Sequence, residues 1–133
     1  MRNRRILGLL LAGVALGGCR AKLTGQLTLN GATFTPTSCR SGAVFGFVGV
    51  DLINDAGAKL RLVALPDGQA DALYFAPGAA TGIHLGPCGP LTVQRQNSRI
   101  NSVYNVEGSA ALQCAAAGGT PAVAGSVQFA NCH

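Results

Sequence analysis

Apolar and polar residues alternate over short stretches of this chain, the period of two that belongs to half-buried strands, and no stretch sustains the spacing of an amphipathic helix. Leu27, Leu29, Ala32 and Phe34 flank Asn30-Gly31, a strong two-residue hairpin signal. Folding there sets Leu29 opposite Ala32 and Leu27 opposite Phe34 on one face, with Thr28 opposite Thr33 on the other. Residues 36–42 read as a loop holding Cys39. Residues 43–53 read as one long strand, with Val44, Val48, Val50 and Leu52 on one side and Phe45 and Phe47 on the other. Gly46 and Gly49 mark a bulge or close backbone approach within it. After the turn Asn54-Asp55-Ala56-Gly57, Leu60, Leu62 and Ala64 alternate with Lys59, Arg61 and Val63 up to the turn Pro66-Asp67-Gly68.

Shorter strands follow at 72–76 and at 83–85, the latter stopped by Pro87-Cys88-Gly89-Pro90. Residues 91–96 and 100–107 predict a hairpin about Asn97-Ser98-Arg99. Residues 109–115 and 123–131 supply the last strands, separated by Gly118-Gly119-Thr120-Pro121. About nine strands at roughly ten-residue spacing, with every proline in a turn, predict an all-β antiparallel sandwich or small barrel. The competing reading is an α+β domain with a helix in the alanine-dense stretch 110–117.

Composition narrows the class. The chain has 133 residues, 48% of them apolar and 11% charged, too apolar and too weakly charged for a disordered segment. Its length suits one domain of ordinary size, and neither a repeat nor a linker interrupts it.

The first 18 residues stand apart. Arg2, Arg4 and Arg5 precede an uncharged run, Ile6 to Gly18, of 13 residues. As a helix that run spans about 20 Å, short of a ~30 Å hydrocarbon core, and it fits a cleaved export signal. Leu16-Gly17-Gly18-Cys19 resembles the lipobox of bacterial lipoproteins. The resemblance implies diacylglyceryl transfer to the Cys19 thiol, cleavage before Cys19 and acylation of the new amine with palmitate-like chains. It implies export by the general secretory route, since Arg4-Arg5 lacks the rest of a twin-arginine motif. With Arg20 rather than aspartate after the cysteine, it implies the outer membrane rather than the inner. The expected organisation is therefore a signal at 1–18, a lipidated tether at 19–25 and one β domain at 26–133. The net charge of +5 then loses its apparent meaning. Three positive charges leave with the signal, and 7 − 5 = +2 remains. That balance gives no support to nucleic-acid binding.

Cys39, Cys88, Cys114 and Cys132 remain, an even set that in an exported domain predicts two disulfides. Three connectivities are open. Cys39–Cys88 with Cys114–Cys132 is favoured, because the second pair would join the last two strands and the first would tie two early loops. A zinc site from Cys88, Cys114, Cys132 and His133 is the alternative, but the close cysteine pairs usual in such sites are missing.

Candidate chemistry is sparse. His84 lies mid-strand facing away from Ile83 and Leu85, no G-x-S-x-G elbow or phosphate-binding glycine loop occurs, and Asp51 and Asp55 lack further oxygen ligands at EF-hand spacing. No cofactor, resident metal or catalytic residue is expected. A small envelope hydrolase or metal-dependent enzyme would have to draw on His84, Asp51 and Glu107. One segment is unusual: Gln94, Gln96, Arg99, Asn101, Tyr104 and Asn105 place amides, arginine and a phenol on one predicted hairpin. They form a candidate surface for peptide backbone or sugar hydroxyls. The mature domain resembles small envelope lipoproteins, and the expected role is a membrane-anchored, non-catalytic binding or structural module with a protein or glycan partner. An exported inhibitor or assembly accessory is the other alternative.

Overall fold

The computed structural model describes residues 20–100 and 102–133. The signal-like segment with Cys19 and the candidate residue Asn101 lie outside the described residues, as do the side chains of residues 98–100, Arg99 among them. Among the described residues nine strands form one antiparallel sheet. They are β1 (Lys22–Leu29), β2 (Ala32–Phe34), β3 (Ser38–Ser41), β4 (Gly49–Ile53), β5 (Lys59–Ala64), β6 (Gln69–Phe75), β7 (Ile83–Ile100), β8 (Val103–Cys114) and β9 (Val123–Cys132). Their order is β2-β1-β9-β8-β7-β6-β5-β4-β3, so each strand from β3 to β8 pairs with its successor and β1 returns beside β9.

The connectivity forces the sheet to bend. Its two edge strands, β2 and β3, are joined only by residues 35–37, and a link of that length spans at most about 14 Å between Phe34 and Ser38. The sheet therefore curls into a half-barrel whose two ends approach each other. Leu27, Leu112 and Val127 from one half meet Val50, Leu52 and Leu62 from the other in a single buried core. Strand β7 runs through both halves, pairing with β6 up to Pro90 and with β8 from Leu91 onward. Pro87 and Pro90 flank one of its register shifts, where a ladder tolerates a residue without an N–H.

The β1–β2 hairpin has the predicted register, Leu27↔Phe34, Thr28↔Thr33 and Leu29↔Ala32. Asn30 and Gly31 take φ of 51° and 79°, the positive values a type I′ turn needs at both central positions.

Several expectations are corrected. Residues 43–53 are not one strand: Gly42–Phe45 forms a 3₁₀ turn and β4 begins at Gly49. The buried Ser41 accepts a hydrogen bond from the Ala43 N–H at 3.2 Å, and Gly46 closes the turn at φ 85°. Local capping thus overrides the β-branched and aromatic pattern. Part of the loop assigned to 36–42 is β3, which pairs with β4. Residues 83–85 and 91–96 belong to one strand, as do most of 100–107 and 109–115, because bulges carry the chain past its prolines and glycines. Strands β7 and β8 still pair at Ile100↔Val103, so the chain does not reverse at 97–99. The alanine-dense stretch is strand as far as Cys114. Strand β1 begins at Lys22, within the stretch read as tether.

The two disulfides are Cys39–Cys132 and Cys88–Cys114, not the favoured pairing. The β8–β9 register explains why: Cys114 faces Val123 while Cys132 faces Val106, at opposite ends of the ladder. Neighbouring strands are not enough; the two cysteines' Cα atoms must come within bridging distance of each other. Cys39 instead meets Cys132 across the seam where β3 approaches β9, clasping the two ends of the sheet.

Candidate binding groove

Strand alternation sends one set of side chains to the outer face of β1, β9, β8 and β7. Pairing lines them up in rows. Thr24, Gln128, Ser109 and Thr92 form one row across four strands. Lys22, Ala130, Glu107 and Gln94 form the next, the β9 side offset by the register shift between Val106 and Gly108. Between them lies a shallow groove of about 450 Å³. Gly108 helps to shape its floor: a Cβ there would collide with the Thr92 carbonyl oxygen and touch the Phe129 ring, so only hydrogen lets β7 and β9 come this close. Thr24 Oγ1 lies 3.5 Å from Gln128 Oε1, and the rest of the row faces solvent.

The groove's chemistry is hydrogen bonding. Hydroxyls of Thr24, Thr92 and Ser109 and amides of Gln94 and Gln128 each donate and accept. One cation, Lys22, and one carboxylate, Glu107, flank them.

Of the hairpin residues singled out in the sequence, Gln94 alone of the four whose side chains are described lines this groove, beside Glu107. Gln96 is taken up by Asn131: its Nε2 donates to Asn131 Oδ1 at 3.0 Å, and its Oε1 accepts from the Asn131 backbone N–H at 2.8 Å. Asn105 is buried, and its Oδ1 accepts no hydrogen bond among the described residues. Nothing in the structure explains that orphan oxygen. Tyr104 carries Arg95 over its ring, 5.3 Å from guanidinium carbon to centroid. The amide platform is thus divided among a groove wall, a structural clasp on a bulge and a buried site.

Lys22, Thr24, Thr92, Ser109 and Gln128 were missed. Their parity along each strand carries the signal, but only the register brings them together.

The ionisable residues have other partners. His84 Nε2 lies 2.6 Å from Asp71 Oδ1 on the neighbouring strand, and among the described residues no hydroxyl is hydrogen-bonded to His84. Asp51 is 1% exposed although it points to the outer face. Arg61 grips it twofold, Nε to Oδ1 at 2.8 Å and Nη2 to Oδ2 at 3.0 Å, with Lys59 Nζ at 3.9 Å. The hydrogen bonds to Asp51 raise the Arg61 pKa above its ordinary value, against the opposing pull of burial. A raised value means that this contribution is complete below the ordinary arginine pKa and fades only as pH climbs through the raised one, beyond any working pH. The alternative zinc set is not assembled, since Cys132 is bonded to Cys39 and Cys88 to Cys114.

Compared with known protein families, with functionally characterised proteins and with solved structures, the chain matches none.

Proposed function

We propose that this protein is a non-catalytic binding module, held at the bacterial envelope by a lipid on Cys19, whose outer groove takes a polar glycan strand. The groove carries the reading. It presents side chains from a sheet face, where hydroxyls and amides that both donate and accept match sugar hydroxyls and N-acetyl groups. An extended peptide is better read at a sheet edge, where backbone groups are free. Two disulfides fit an oxidising, exported setting, as does the lipobox resemblance at Leu16-Gly17-Gly18-Cys19.

Two experiments test the two halves of this reading. In a bacterium fed radiolabelled palmitate, the chain should incorporate label and fractionate with membranes. Cys19→Ala should abolish the label, and label retained by that variant would refute the anchor. For the groove, the detergent-solubilised full chain should sediment with purified peptidoglycan sacculi. Replacing Thr92, Ser109 and Gln128 together by alanine removes three hydrogen-bonding groups at about 1 kcal/mol each, so binding should weaken roughly a hundredfold. Undiminished sedimentation of the triple variant would place the ligand elsewhere.

A further inference from the structure

A second surface lies on the other half of the sheet, over β3, β4 and β5. Residues 42–48 fold across its outer face and leave Val44, Phe45 and Val48 exposed at 44%, 50% and 67%. Beneath and beside them stand two cations held among rings. The Arg61 guanidinium lies 4.8 Å from the Phe47 centroid and 5.1 Å from that of Phe45. Lys59 Nζ lies 4.3 Å from the Phe75 centroid. Arg40, opposite Asp51 in the β3–β4 register, is exposed.

Cations outnumber carboxylates on this face. Arg40, Lys59 and Arg61 stand against the buried Asp51 and, on β6, Asp71, so the face carries 3 − 2 = +1. Asp71 is hydrogen-bonded to His84 at 2.6 Å, and Asp55, in the turn at the margin of the face, accepts from the Thr37 hydroxyl at 2.8 Å. Exposed apolar side chains bordered by an excess of cations, with Arg40 free of any described carboxylate within salt-bridge distance, suit the boundary between anionic headgroups and acyl chains, since apolar tips gain by insertion and cations by the surface potential.

The chain's entry into the domain points the same way. The Arg20 carbonyl accepts a hydrogen bond from Asn131 Nδ2 at 3.2 Å. Cys132, the next residue, is bonded to Cys39, and Arg40 follows. A lipid on Cys19 would therefore enter at the seam bordering this face.

From these observations we infer that residues 42–48, with Arg40, Lys59 and Arg61, form a membrane-contact surface that seats the domain on an anionic bilayer. Only the orientation depends on the anchored reading; the apolar tips and the charge stand without it.

The chain contains no tryptophan, so Phe45→Trp introduces a single local probe. The full chain carrying it should be reconstituted on vesicles of phosphatidylethanolamine and phosphatidylglycerol with brominated acyl chains. Trp fluorescence at position 45 should be quenched and blue-shifted. A tryptophan at the exposed Gln113, on the other half of the sheet, should remain unquenched. Each surface cation is worth roughly fivefold in partitioning to an anionic surface, so Arg40→Gln with Lys59→Gln should reduce loop insertion roughly 25-fold. A chain that floats with the vesicles while position 45 stays unquenched overturns the surface and leaves the anchor standing. Quenching that persists in Cys19→Ala separates the surface from the anchor and supports the former. A chain that fails to float at all overturns both.

Discussion

Replacing Cys39 and Cys132 together by alanine should lower the unfolding free energy by about 4.6 kcal/mol, the loop-closure entropy of a bridge spanning 93 residues. Removing Cys88 and Cys114 should cost less, about 3.5 kcal/mol, since that bridge spans 26 residues. The difference has a structural counterpart. Cys88–Cys114 staples strands already paired by their ladder, whereas Cys39–Cys132 clasps strands that share no hydrogen-bonded register. Urea denaturation followed by far-UV circular dichroism measures both losses. The single variant Cys39→Ala checks the pairing itself: peptide mapping after alkylation should find the freed thiol at Cys132. A label on Cys88 would contradict the clasp.

The second large effect is expected at Arg61. Truncating it to alanine leaves the Asp51 carboxylate buried, with only Lys59 at 3.9 Å to answer it. Breaking one side of a buried ion pair costs 3–5 kcal/mol, and the partial exposure of Arg61 puts the expected loss near the lower end, about 3 kcal/mol. The reverse change, Asp51→Ala, should cost less, because Lys59 and Arg61 are one-fifth to one-quarter exposed and rehydrate. Replacing both partners by apolar residues, Asp51→Leu with Arg61→Met, should recover most of the loss. If Arg61→Ala and Asp51→Ala prove equally mild in urea titrations, the pair is not the buried anchor of this face.

These two features show where the sequence was legible and where it was not. Local patterns were readable: Asn30-Gly31 dictates a two-residue turn, and the alternation of Leu60 and Leu62 with Lys59 and Arg61 assigns β5 and its faces. The all-β class and the presence of two disulfides follow from such signals. Long-range register was not readable. Nothing local to Cys39 says that residues 35–37 bring β2 and β3 together or that Cys132 waits across the seam. For the same reason the hairpin amides looked like one platform. The signal that splits them is the bulge at Asn131, held at φ 55° and clasped by Gln96, which pairs residues far apart in sequence. The 3₁₀ turn was missed because Val44, Phe45, Phe47 and Val48 have strand propensity, while Ser41 and Gly46 supply caps that matter only once Gly42 can pack under the Phe47 ring. Asp51 read as an incomplete calcium ligand, yet strand pairing with Arg61 makes it the buried centre of the face over β3, β4 and β5.

The groove stands on the same register that the sequence could not supply, and it is the most direct target for a test. In the isotopically labelled full chain held in micelles, soluble N-acetylated glycan fragments of the cell wall should be titrated while backbone amide shifts are recorded by nuclear magnetic resonance. Saturable shifts are expected, concentrated at Thr24, Thr92, Ser109 and Gln128, with the 42–48 segment unmoved. Shifts confined to other faces, or none at saturating fragment, would contradict a glycan-binding groove.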